Sequence, residues 1–138
     1  MSSNGNGSAP RAEALNASRI AVGLTAGDLQ KSLRFYTEGL GFAIESKTEA
    51  EGRVVFAMLK AGNGQIGLGQ DDFAKGRDRV KAVGMRLWIS TAQDLEMLAQ
   101  RARAAGIDVH GPEAQPWGPM AFELTDPDGL MITVVQDG

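Results

Sequence analysis

The chain contains no cysteine, which excludes disulfides, thiolate metal ligands and cysteine nucleophiles. It holds one histidine, His110, in a loop-like stretch before Gly111-Pro112, where a surface or hinge role is expected. No Ser-His-Asp set, no carboxylate pair at a diagnostic spacing and no phosphate-cradling glycine loop can be read from it. No apolar run approaches the roughly 20 residues of a membrane helix. A basic surplus is also missing: 14 Lys and Arg face 17 Asp and Glu, a net charge of −3, so neither nucleic acid nor a membrane is expected as a partner. Residues 1–17 lack the apolar stretch of a secretory signal. They are expected to form a flexible tail, with at most a turn of helix around Arg11 to Asn16, on a cytoplasmic protein.

What remains is an ordinary globular composition, 43% hydrophobic over 138 residues, enough for one well-buried domain. Its organisation is repetitive. Thr25-Ala-Gly-Asp28-Leu29 opens one amphipathic segment and Thr91-Ala-Gln-Asp94-Leu95 opens another 66 positions later. Gly41 and Gly106 close the two segments, and the turns Ala61-Gly-Asn-Gly64 and Asp126-Pro-Asp-Gly129 follow, each pair 65 positions apart. Three pairs of landmarks keeping a spacing of 65 or 66 indicate a duplicated unit.

Each unit reads as β-α-β-β-β. Ile20, Val22 and Leu24 alternate with small residues, and Leu87 and Ile89 alternate with Arg86, Trp88 and Ser90, as in strands with one buried face. Thr25 and Thr91 are predicted N-caps, with Asp28 and Asp94 returning a carboxylate in a capping-box arrangement. Leu29, Leu33, Tyr36 and Leu40, and likewise Leu95, Leu98, Ala102 and Ala105, recur at helical spacing before a glycine stop. Strands are then predicted over 43–47, 53–60 and 65–70, and over a short stretch near Asp108-Val109, 120–125 and 130–136. The first module spans 18–70, a charged and solvated linker 71–83, and the second module 84–136.

Asp28-Leu29 with Ser32-Leu33-Arg34-Phe35-Tyr36 and Leu40-Gly41-Phe42, together with Trp117-Gly118, Phe122 and Asp126-Pro-Asp-Gly129, resemble the signatures of the vicinal oxygen chelate superfamily. That superfamily comprises glyoxalase I, bleomycin-resistance proteins, fosfomycin-resistance enzymes and extradiol dioxygenases, and the resemblance covers about residues 19–136. It implies an α+β fold of two tandem βαβββ modules, each curling a mixed sheet into half a cup, with helices on the convex side and the ligand on the concave side. It also implies a homodimer. Fold is better fixed than function, because chemistry within the superfamily runs from metal-assisted isomerisation to sequestration.

Metal-dependent members place His, Gln or Glu ligands on four strands, and the matching positions here are Ala21, Gly67, Arg86 and Thr133. Alanine and glycine offer no side-chain donor, arginine is a cation, and one threonine hydroxyl cannot hold zinc or iron. No metal and no other cofactor is therefore expected.

By strand alternation, the face carrying those positions also carries Phe56 and Met58 in the first module and Trp88, Ser90, Met131 and possible partner Glu123 in the second. The small residues Ala21, Gly23, Gly67 and Gly69 are expected to leave room for a guest. Arg86 is expected to meet Glu123, another carboxylate such as Glu45, a ligand, or solvent. Trp117 lies between Pro116 and Pro119, and the resemblance implies that such a loop closes over a bound drug. The expected ligand-binding set is Phe56, Met58, Arg86, Trp88, Ser90, Trp117, Glu123, Met131 and Thr133. Two function classes follow. One is a metal-free binding protein that sequesters a bulky apolar or aromatic compound. The other is a metal-independent lyase, isomerase or cyclase using Glu123 or Tyr36 as acid or base and Arg86 as oxyanion stabiliser; a glyoxalase-like metalloenzyme ranks behind both.

Overall fold

The computed structural model describes residues 14–76 and 79–137. Most of the expected N-terminal tail lies outside that range; residues 14–17 are exposed and carry no helix. Two four-stranded mixed sheets follow, each with one helix on its covered face. The first is built from β1 (Ala21–Ala26), β2 (Ala43–Ala50), β3 (Arg53–Ala61) and β4 (Gly64–Gln70), in the order β1-β4-β3-β2. The second comprises β5 (Arg86–Thr91), β6 (His110–Ala114), β7 (Met120–Thr125) and β8 (Met131–Gln136), ordered β5-β8-β7-β6. In both sheets the first strand pairs in parallel with the last, and the other pairings are antiparallel. The duplicated unit is thus a βαβββ module, as the repeat spacing indicates.

Helix α1 (Leu29–Arg34) continues into a wider π-type turn over Phe35–Gly39, and α2 spans Leu95–Ala104. Their caps differ from the expectation. Asp28 and Asp94 themselves are the N-caps, accepting from the amides of Lys31 and Glu96, while Thr25 and Thr91 still belong to β1 and β5. The chain needs the intervening two residues to turn from strand to helix, so the threonines sit too early to cap. Gly41 (φ 83°) and Gly106 (φ 84°) do stop the helices, in the left-handed region that glycine reaches without strain.

Alternation decides what is buried. Ala57 and Leu59 of β3, Ile66 and Leu68 of β4, Phe122 and Leu124 of β7, and Ile132 and Val134 of β8 turn toward the helices. They join Leu29, Leu33, Tyr36, Leu95 and Ala99 in one core shared by both modules. Hydrogen bonds also join the modules. The Tyr36 hydroxyl donates to Asp126 Oδ2 at 2.8 Å, the Gly27 amide donates to Asp128 Oδ1 at 3.0 Å, and Arg101 donates to the carbonyls of Glu38 and Thr37.

Three further expectations need correction. β2 runs on to Ala50, because Glu51 and Gly52, both at positive φ, form a tight reversal into β3. The strand expected near Asp108-Val109 lies at His110–Ala114; a register shift beside Gly111-Pro112 hides it from a period-two reading. The charges of the 71–83 linker are not merely solvated: Asp71 is buried, with Arg79 at 3.1 Å and Lys81 at 3.3 Å from its Oδ2. The Phe73 amide donates to its other oxygen, and that bond, reinforced by the two cations, holds the Asp71 carboxyl below its ordinary pKa against the cost of burial.

Candidate functional site

β5 is a half-covered edge strand. Leu87 and Ile89 turn inward, and Arg86, Trp88 and Ser90 turn out. Its parallel register sets Arg86 beside Met131, Trp88 beside Thr133 and Ser90 beside Val135, while Glu123 of β7 lies across from Thr133. Five of the expected residues therefore meet through backbone pairing alone. Arg86 Nη1 donates to Glu123 Oε2 at 2.9 Å and to Thr133 Oγ1 at 2.7 Å, and Nη2 approaches the Met131 sulfur at 3.6 Å. Of the partners considered for Arg86 the structure selects Glu123; Glu45 instead accepts from the Gln65 side chain. The guanidinium also lies 5.7 Å from the Trp88 ring centroid, within reach of a cation–π attraction.

Trp117 completes the group from the 115–119 loop, whose ends are tied by the Gln115 amide donating to the Pro119 carbonyl. Its ring meets Trp88 edge-to-face, centroids 5.6 Å apart and planes at 74°, a geometry the aromatic quadrupole favours. Both indoles remain about half-exposed, Trp88 at 57% and Trp117 at 52%. Thr133 is buried beneath this arrangement, and Ser90 stays exposed at its margin.

Phe56 and Met58 stand elsewhere. They face the same way as Gly67 and Gly69 in the first sheet, paired across from them. A Cβ on Gly67 would meet the Phe56 ring at 2.9 Å and the Met58 methyl at 3.7 Å. The room expected over these glycines is therefore filled at Gly67 by the chain's own Phe56. Among the described residues, the hydrogen bonds and ring contacts of the Trp88 group stay within β5, β7, β8 and the Trp117 loop. The structure brings seven of the nine expected residues to one sheet face, and leaves Phe56 and Met58 on the other sheet.

The four positions where metal-dependent relatives carry ligands hold Ala21, Gly67, Arg86 and Thr133, two on each sheet. Arg86 donates to Thr133 there, placing a cation where a metal would have to sit, so this donor set does not fit a divalent ion. Among the described residues no three His, Asp or Glu side chains gather to offer another metal site. Of the two acid–base candidates considered for an enzyme, Glu123 lies beside Arg86 on the outer sheet face and Tyr36 does not reach it. Tyr36 is fully buried in the core, and burial, then the charge of Asp126, pushes its hydroxyl far above the usual tyrosine range. A tyrosine so placed holds its proton and cannot serve the outer sheet face, where Glu123 lies.

Sequence reading missed a second opening, a cavity of about 620 Å³ on the helix side of β5. The strand pattern marks its walls Leu87 and Ile89 only as core residues. A hint was available in the repeat, since Ala61 and Asn63 stand where the second turn has Asp126 and Asp128.

Two helix-backed mixed sheets of βαβββ order, with a solvent-facing aromatic and charged patch on one of them, define a paired-module fold. The chain belongs to the Glyoxalase/Bleomycin resistance protein/Dioxygenase superfamily, whose sequence profile matches residues 19–134. Among solved structures, it is similar to TioX from Micromonospora sp. ML1, with 20% identity, 87% of this chain and 98% of that one covered, and a TM-score of 0.71. It is also similar to TnmS3, an antibiotic binding protein from Streptomyces sp. CB03234, at 22% identity over 91% of this chain and 100% of that one, TM-score 0.69. A bleomycin-binding protein complexed with bleomycin aligns at 22% identity over 88% and 100%, TM-score 0.65. No curated protein sequence gives a significant match. No helix among the described residues is long and apolar enough to cross a membrane.

Proposed function

We propose that this chain is a small-molecule-binding member of its superfamily, which sequesters a bulky apolar or aromatic compound on the outer face of β5, β8 and β7 without metal and without changing it chemically. The observation that carries this reading is the Trp88–Trp117 pair, two indoles fixed edge-to-face yet half-exposed. Large aromatics left in water form a natural landing surface, because covering them releases about 25 cal/mol per Å² of apolar area. A planar ligand stacks on an indole face, and Arg86, oriented by Glu123 and Thr133, offers remaining N–H donors to a ligand carbonyl or anion. The antibiotic-binding proteins among its structural neighbours support the ligand class.

A homodimer belongs to the same proposal. It sets the Phe56 and Met58 face of one copy against the Trp88 face of the other, uniting residues that lie on separate sheets of one chain. Sedimentation should give twice the 14.6 kDa chain mass; a monomer at working concentration contradicts this part.

The binding test is tryptophan fluorescence titration against a panel of bulky aromatic antibiotics, bleomycin included. At least one compound is expected to quench emission saturably at micromolar concentration. Trp88→Ala and Trp117→Ala, with unchanged circular dichroism, should each weaken it about tenfold, or 1.4 kcal/mol, measured by calorimetry. Equal affinity in both variants would sink the proposed site.

A further inference from the structure

The cavity on the helix side of β5 belongs to the opposite face of the second sheet from the Trp88–Trp117 pair. Its volume, about 620 Å³, falls within the roughly 300–1,000 Å³ usual for small-molecule pockets. The wall is apolar, formed by Val22 and Ile66 of the first module and Leu87, Ile89, Phe122 and Val134 of the second. Asn63, Gln65, Thr91 and Gln93 add neutral hydrogen-bonding groups, and Asp137 adds the one charge among the lining residues. Trp88 and Ser90 also border it, so the two sites meet along the edge of β5.

Comparison of the two modules shows how the opening arises. In one half the Asp126-Pro-Asp-Gly129 turn is drawn onto the residues leading into α1 through Asp128 to Gly27, and onto the π-type turn after it through Asp126 to Tyr36. Sixty-five positions earlier the matching turn reads Ala61-Gly-Asn-Gly64, with both carboxylates gone. Gln93 stands where the first module has Gly27. The cavity lies between this turn and the Thr91–Gln93 segment that leads into α2. One junction between turn and helix start is sealed by charged hydrogen bonds, and its counterpart is an apolar space with amide groups at its border.

We infer that this cavity is a second ligand site, built for a neutral apolar small molecule carrying one or two hydrogen-bonding groups. An anion has no cationic partner among the lining residues and meets the Asp137 carboxylate, so its desolvation goes uncompensated. A neutral molecule loses nothing to that charge, covers the apolar wall and leaves its polar end to Asn63, Gln65 or Gln93.

Two fluorescent probes of similar shape test the assignment: neutral N-phenyl-1-naphthylamine and anionic anilinonaphthalene sulfonate, titrated into the full chain. The neutral probe should occupy one site per chain that survives Trp117→Ala, and bind there about tenfold more tightly than the anion. Ala92→Phe, at an exposed position of the lining, and Leu87→Phe, in its wall, should each weaken the neutral probe about tenfold. Ala92 is exposed, so its variant keeps the test independent of core packing. Trp117→Ala, which alters the outer face, should leave probe affinity within about twofold. That arm separates this site from the Trp88–Trp117 site, whose failure would leave these results unaffected. Loss of probe binding in Trp117→Ala, no change in Ala92→Phe, a preference for the anion, or absence of saturation would each overturn the inference. Binding seen only on dilution to monomer would overturn it too, by assigning the cavity to a second copy of the chain.

Discussion

Tyr36 and Asp126 stand 90 positions apart in sequence, yet their hydrogen bond is a principal link between the modules. Asp126 Oδ1 already receives the Asp128 and Leu130 amides, and Oδ2 takes the Tyr36 hydroxyl. Removing that hydroxyl leaves a buried carboxylate oxygen short of a donor, so Tyr36→Phe should cost about 1–3 kcal/mol in urea unfolding. Asp71 acts through pH. Its pKa is lowered in the folded chain, so its contribution is present above its ordinary value of 3.8 and is lost as pH falls through the lower folded value. Asp71→Asn should therefore be less stable than the parent at pH 7, and the gap should close as pH falls below about 4 in thermal melts. A gap that widened in acid would contradict the assignment. Neither residue's role was legible in the sequence: Tyr36 reads as one member of a helical stripe and Asp71 as part of a charged linker, because periodicity reports a face and never a distant partner.

Among the elements, the strands were the most legible. β7 matches its predicted limits of 120–125, and the inward set of β3, β4 and β8 follows from alternation. Arg86, Trp88, Met131, Thr133 and Glu123 were gathered correctly because a two-residue period and one register are enough to place them. What alternation could not show is where side chains go once on a face, and Phe56 folding over Gly67 is such a case. The helix caps slipped for a local reason, since Thr91 remains in β5 and the Asp94 carboxylate takes the Glu96 amide. Asp94→Ala should accordingly lower stability by about 1 kcal/mol, read as a fall in the denaturation midpoint at unchanged slope.

At the scale of the whole molecule, duplication explains the fold and divergence between the copies explains the sites. Both modules keep a strand, a helix and a three-strand meander, and their helix-facing residues merge into one core. The outer faces have parted company. One carries small residues under Phe56, and the other an Arg–Glu–Thr cluster beside two indoles. The sequence repeat revealed the shared scaffold; the cavity between the modules escaped it, because a void depends on how two surfaces meet. The most direct test of the central claim is a crystal structure with the tightest compound from the antibiotic panel. The account predicts the ligand stacked on Trp88 or Trp117 with a polar group at Arg86. A ligand bound away from that face, with both indoles still open to solvent, would contradict it.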